Sequence, residues 1–174
     1  MTTPAATLTV AILGSAVCVR IVGRANFTSS VGFKTLVNEL AQRGHRRFVL
    51  DLADCLVMDS TFLGVLAGLA IKASKAPETA GNGFFELRNP NQRVSDLLEN
   101  LGVSHLFKFQ TGSAAPDANY QAVAPADASR TEVTGTSLEA HQTLMALSSA
   151  NAAKFKDVVQ FLAEDLKRQE VAAT

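Results

Sequence analysis

Over residues 7–109, apolar runs of strand length alternate with segments of helical spacing, and this alternation constrains the fold most. Residues 7–13 and 16–22 read as two strands turned at Gly14-Ser15, the second rich in β-branched residues. Ser29 or Ser30 offers a cap for a helix whose Phe33, Leu36, Val37 and Leu40 fall at i, i+3, i+4 and i+7. Arg43-Gly44 closes it, with a cation near the last carbonyls and glycine just beyond. Residues 48–52 form a short apolar run, a buried strand. A second helix presents Phe62, Leu66, Leu69 and Ala73, widened by Leu63 and Ala70, with Lys72 and Lys75 in its last turns. Gly64 and Gly68 inside it mark close packing. Pro77 and Gly81 indicate a loop, and 84–87 a strand. Asn89-Pro90 opens a third helix with Asn as cap, carried by Val94, Leu97, Leu98 and Leu101 and closed by Gly102. Residues 106–109 are a last strand. The order β-β-α-β-α-β-α-β predicts an α/β domain, a mixed β-sheet with helices packed on it through right-handed crossovers.

The chain has 174 residues, 47% of them hydrophobic, which suits one domain over 1–110 and an appendage. Residues 111–135 are rich in Ala, Pro, Ser, Thr and Asp and read as a flexible linker. Thr136-Ser137-Leu138-Glu139 is a capping-box pattern that predicts one amphipathic C-terminal helix to about Gln169, within 136–174. Leu138, Met145, Ala152, Val159 and Leu166 recur every seven residues. Phe155 and Leu162 add the second heptad position, which His141 and Ser148 weaken. Such a helix either folds back on the domain or serves as a coiled-coil arm for self-association or partner docking.

Lys+Arg and Asp+Glu are 16 each, so the formal charge is zero, where a nucleic-acid binder carries a basic excess. Cys18 and Cys55 stand in apolar stretches without a CxxC or a nearby histidine; they read as reduced core thiols, not zinc ligands. The first ten residues hold no Lys or Arg, against a secretory signal. The apolar run 62–71 is half the roughly 20 residues of a membrane span. A cytoplasmic protein without membrane insertion is expected. No glycine-rich phosphate loop follows a strand, and His45, His105 and His141 are scattered, so no triad or metal spacing can be read. The expectation is a non-enzyme with no catalytic residues, metal or cofactor.

The specific segment is 48–70, FVLDLADCLVMDSTFLGVLAGLA. A buried strand ends in Asp51-Leu52, Val57-Met58 bridges, and Asp59-Ser60-Thr61-Phe62-Leu63-Gly64 opens a helix. Unpaired N–H groups and the positive end of the helix dipole lie there, so a phosphate on either hydroxyl would be well held. It would set roughly −1.5 to −2 charges beside Asp59. Plain N-capping by Asp and Ser is the simpler use of the same residues.

This segment resembles the signature of STAS-domain anti-sigma factor antagonists, and the element order over 7–109 agrees. The resemblance implies that fold and makes Thr61 the phosphoacceptor position, with Ser60 the adjacent candidate. It implies a partner-binding surface at Asp59, Ser60, Thr61, Phe62, Leu63, Gly64 and Asn26. The implied partners are an anti-sigma factor, often itself a serine/threonine kinase of the GHKL type, and a phosphatase. The resemblance implies that the unphosphorylated protein would bind, that phosphorylation would release it, and that transcription would be regulated by such partner switching. The alternative on the same fold is a non-catalytic accessory or scaffold subunit of a transport or signalling complex. Phe62 stands where the family has glycine. Asn26, in Gly23-Arg24-Ala25-Asn26, stands where it often has aspartate, and is otherwise a turn residue.

Overall fold

The structure, a computed structural model, describes residues 4–75, 85–113 and 115–174. The strands are β1 (Thr7–Leu13), β2 (Ala16–Ala25), β3 (Arg47–Asp51), β4 (Cys55–Met58), β5 (Phe85–Arg88), β6 (Lys108–Gln110) and β7 (Gln121–Ala122). The helices are α1 (Phe27–Gln42), α2 (Ser60–Lys75), α3 (Gln92–Asn100), α4 (Arg130–Leu147) and α5 (Ser149–Ala172). The sheet runs β6-β5-β3-β2-β1-β7, with β4 on the far end of β2. β1 pairs antiparallel with β2 and β7, and the pairs β2–β3, β3–β5 and β5–β6 are parallel. This is the expected mixed sheet.

Alternation along the central strands sorts the two faces. Val17, Val19, Ile21, Phe48, Leu50, Phe85 and Leu87 turn to the helices and are at most 3% exposed. The opposite face carries Cys18, Val49 and Glu86. There Arg47 and Arg88 bond the Glu86 carboxylate, and Tyr120 lies under the Arg20 guanidinium, 3.8 Å from ring centroid to carbon. Ala115 packs on Cys18 and Val49. Of the segment 111–135, read as linker, Ala115, Ala118 and Tyr120 thus pack on this face, Gln121–Ala122 form a strand, and Arg130 already opens α4.

Several expected boundaries move, each for a local reason. α1 begins at Phe27 because Asn26 caps it, and Ser29 closes a capping box from inside the helix. Asn89 does not cap α3: it sits at φ 56, a left-handed position that Asn tolerates, and its Oδ1 accepts from the Gly112 amide. Asn91 caps α3, and its Nδ2 donates to the carbonyls of Cys55 and Leu56. The expected loop at Pro77 and Gly81 and the strand residue Phe84 lie outside the described residues.

The C-terminal segment forms two helices in place of one. Ser148 is extended (φ −161, ψ 156), and its Oγ accepts from the Asn151 amide to start α5. The heptad read across Met145 and Ala152 therefore spans a break. α5 folds back along α4, so that Gln169 Nε2 donates to Thr134 Oγ1. The face of α4 that is buried is Ser137, Ala140, His141 and Leu144, not the Leu138–Met145 stripe. Asn151, 1% exposed, pins the hairpin: its Nδ2 donates to the carbonyls of Leu101 and Leu144, both at 2.9 Å.

Replacing Asn151 by alanine strands two buried carbonyls. Asn151→Ala is expected to cost about 1–3 kcal/mol in urea unfolding, whereas Asn151→Asp, which cannot donate, should be no better.

Candidate functional site

The site forms where β4 delivers the chain into α2. A register shift between Gly23 and Arg24 lets the end of β2 pair with β4, with Ala25 opposite Met58. Gly23 (φ 97) supplies the backbone turn, and its amide donates to the Asp54 carbonyl. The Asp59 amide then donates to the Ala25 carbonyl at 2.9 Å. This pairing sets the N-termini of α1 and α2 side by side.

Asp59 lies between them and serves both. One carboxylate oxygen accepts from the Phe62 amide in the first turn of α2, the other from the Phe27 amide at the start of α1, each at 2.8 Å. Burial pushes the Asp59 carboxyl above its ordinary range; the amides of Phe62, Phe27 and Thr61 and the nearby His141 ring pull it back only in part.

The cap is therefore filled by Asp59, and the two hydroxyls beside it point elsewhere. Ser60 is half-buried, with its Oγ 2.9 Å from His141 Nε2. His141 Nδ1 lies 2.7 Å from the Ser137 carbonyl. A carbonyl only accepts, so Nδ1 carries the proton; in the neutral ring Nε2 then accepts from the Ser60 hydroxyl. Thr61 is 6% exposed and its Oγ1 lies 3.3 Å from Ser137 Oγ. Phe155 of α5 meets the His141 ring edge-on, with centroids 5.1 Å apart.

The other predicted site residues separate into two groups. Phe62 and Leu63 are fully buried, Phe62 packing on Phe33 at 4.9 Å, so neither presents a surface to a partner. Gly64 faces α4, where a side chain would meet the Ala140 carbonyl oxygen at 2.5 Å. Asn26 sits at the rim, its Oδ1 accepting from the Thr28 amide and hydroxyl. Phe27 and Leu56 are exposed at the same end of the sheet.

Ser137, Ala140 and His141 were not foreseen as part of the site. The available signal was their spacing: Ser137, Ala140, His141 and Leu144 fall at i, i+3, i+4 and i+7, a helical face made of small and polar groups.

The STAS domain family profile matches residues 7–115. The chain belongs to the STAS-domain family. No curated protein matches it. Among solved structures, the Thermotoga maritima protein TM1081, titled as a candidate anti-sigma factor antagonist, is similar over 62% of this chain and 88% of its own, at 23% identity and TM-score 0.53. The anti-sigma factor antagonist SpoIIAA in its unphosphorylated form matches over 62% and 89% of the two chains, at 15% identity and TM-score 0.52. The Bacillus cell fate determinant SpoIIAA in the phosphorylated form matches over 62% and 92%, at 14% identity and TM-score 0.50. The STAS family profile ends before the α4–α5 hairpin. No helix among the described residues is long and apolar enough to cross a membrane.

Asp59→Ala removes the acceptor that starts two helices of the STAS domain. It should cost about 2 kcal/mol, one cap at each N-terminus. The pH dependence has a definite sign. A raised carboxyl binds its proton more tightly in the folded state, so its contribution is full below the unfolded value near ~3.9 and is lost as pH rises through the folded one. The stability gap between wild type and Asp59→Ala should therefore narrow as pH rises through that window in parallel denaturation curves.

Proposed function

We propose that this STAS-domain protein is a regulatory protein-binding module of the anti-sigma factor antagonist kind, set by a phosphate on Ser60 or Thr61. The observation that carries the reading is the division of labour at the start of α2. Asp59 supplies both caps, so capping does not account for the two hydroxyls that follow it. They stand at a helix N-terminus, where the dipole favours an anion. A phosphate there adds roughly −1.5 to −2 charges next to the Asp59 carboxylate. The charge at the start of α2 would become strongly more negative while the sheet stays folded.

The solved structures support the same reading, because SpoIIAA is described in both an unphosphorylated and a phosphorylated form. The partners would be an anti-sigma factor, acting itself as a GHKL-type serine/threonine kinase, and a phosphatase that resets the switch. A cytoplasmic location follows from such partners. The docking surface would be drawn from Asn26, Asp59, Ser60, Thr61 and Gly64, with the exposed Phe27 and Leu56 at its margin.

A second reading is a constitutive accessory or scaffold subunit on the same fold. The engagement of both hydroxyls by α4 favours it, since a hydroxyl held by a packed helix is not free for modification.

Intact-mass measurement and peptide mapping of the protein from its native cell, with and without phosphatase, separate the two. A phosphate on the peptide holding Ser60 and Thr61, absent from Ser60→Ala/Thr61→Ala, is expected. An unmodified peptide across growth and stress conditions would leave the scaffold reading in its place.

A further inference from the structure

The second helix has its partner already. Three contacts along its N-terminal half come from α4: His141 on Ser60, Ser137 on Thr61, and the Ala140 backbone against Gly64. Glu139, between them, pairs with Lys34 of α1 at 2.8 Å. The face proposed above for partner docking is therefore filled by the chain's own α4–α5 hairpin.

We propose that the hairpin is a displaceable internal ligand of the Ser60–Thr61 face, and that an outside partner gains the face by replacing it. The proposal rests on the reading of that face as the docking surface. The partner it fits is a helix with an alanine or glycine at the crossing over Gly64 and polar side chains reaching Ser60 and Thr61.

Three features mark the contact as one that can open. Where α4 meets α2 its composition is mostly small and polar, with Thr136, Ser137, Ala140 and His141 buried; the apolar part of the hairpin's contact is Leu144, Phe155, Met145 and Leu147. Contact of this kind excludes less apolar surface than the core beneath α2, so less free energy opposes its loss. The fit is also incomplete. A cleft of about 380 Å³ lies among α1, the C-terminal half of α2, and α4, lined by Gly68, Lys72, Glu139 and Thr143 among others. Last, β7 is held on β1, and residues 123–129 link it to α4 without regular structure. The hairpin can leave on that tether while the sheet stays whole.

Phosphate and hairpin compete for one space. Thr61 is closed over by Ser137, and a phosphoryl group there would meet α4 while lying beside the Asp59 carboxylate. Occupancy by α4 and an anionic Thr61 exclude each other on volume and on charge.

The test is native-state hydrogen exchange on the unmodified full chain, with no partner present. Amides of α4 and α5 should exchange together, about tenfold or more faster than those of β3 and β5, through an opening that leaves the sheet protected. Gly64→Ala provides the perturbation. Alanine is the better helix former inside α2, yet its Cβ collides with the Ala140 carbonyl. It should speed hairpin exchange further and leave β3 and β5 unchanged. Gly68→Cys/Thr143→Cys joins the two helices across the cleft, and its oxidised form should slow hairpin exchange to the rate of the sheet. A hairpin that exchanges only with global unfolding in the wild type, or that is unmoved by Gly64→Ala, overturns the proposal. A hairpin that opens while the Ser60–Thr61 peptide stays unphosphorylated in the cell leaves the internal ligand standing and removes phosphorylation as its trigger.

Discussion

One carboxylate holds the functional end of this molecule together. Asp59 accepts from the first turn of α1 with one oxygen and from the first turn of α2 with the other. The two helices come from different crossovers, and nothing in their own sequences obliges their N-termini to meet. The β2–β4 pairing brings them close, and the shared cap fixes them. A helix start leaves several N–H groups without partners, and two adjacent starts would repel through like dipole ends. A single anion between them answers both problems. Burial raises the proton affinity of that anion, and the amide bonds oppose the rise.

Once Asp59 has fixed the start of α2, the helix has two different faces to satisfy. Phe62, Leu63 and Leu66 enter the apolar core against α1 and the sheet, with no exposed area. The opposite face presents Ser60, Thr61 and Gly64 to α4, whose Ser137, Ala140 and His141 answer in kind. Buried hydroxyl and imidazole groups are tolerated only when bonded, and here each finds its partner across the interface. Such pairing sets register well, because a shift of α4 by one residue would strand several polar atoms at once. It adds less to stability than apolar burial of the same area would. High specificity with modest affinity is what a contact needs if it is to be exchanged for another.

The frame of the domain was legible because its signals are local and repeated. Short apolar and β-branched runs gave β1, β2 and β3, and the 3.6-residue spacing gave α1, α2 and α3. The short β7 was not legible: Gln121 and Ala122 are ordinary residues that pair only because β1 offers an open edge. The helix break at Ser148 was hidden by a heptad that ran across it; the serine cap on Asn151 outweighed the repeat. For the candidate site, the strand-to-helix passage put Asp59, Ser60 and Thr61 at a helix start, and the STAS resemblance made the two hydroxyls candidates. Their partners could not be placed in this way, since His141 and Ser137 lie some eighty residues away and meet them only after α4 has docked. Phe62 belongs to the signature, and a motif position says nothing about which way a side chain turns; here it is buried. Its place three residues into the helix sends it against Phe33.

Gly64 joins these lines of argument. In the sequence it is both a signature position and a helix-interior glycine, which costs about 1 kcal/mol against alanine and so calls for a reason. The core does not provide one, because α2 meets the sheet through Phe62, Leu63 and Leu66. The reason lies on the other face, where α4 brings its backbone against the Gly64 Cα. A glycine at that point shapes α2 to receive a helix at close range, directly beside the two hydroxyls. In this chain the helix received is its own. The same shape would admit any helix with a small residue at the crossing, so under the proposed exchange a tethered segment and a free one would compete for it. Tethering gives the internal helix a high effective concentration. Under the proposed exchange, a partner would have to bind the open face tightly, or act on a chain whose hairpin a new charge had already displaced.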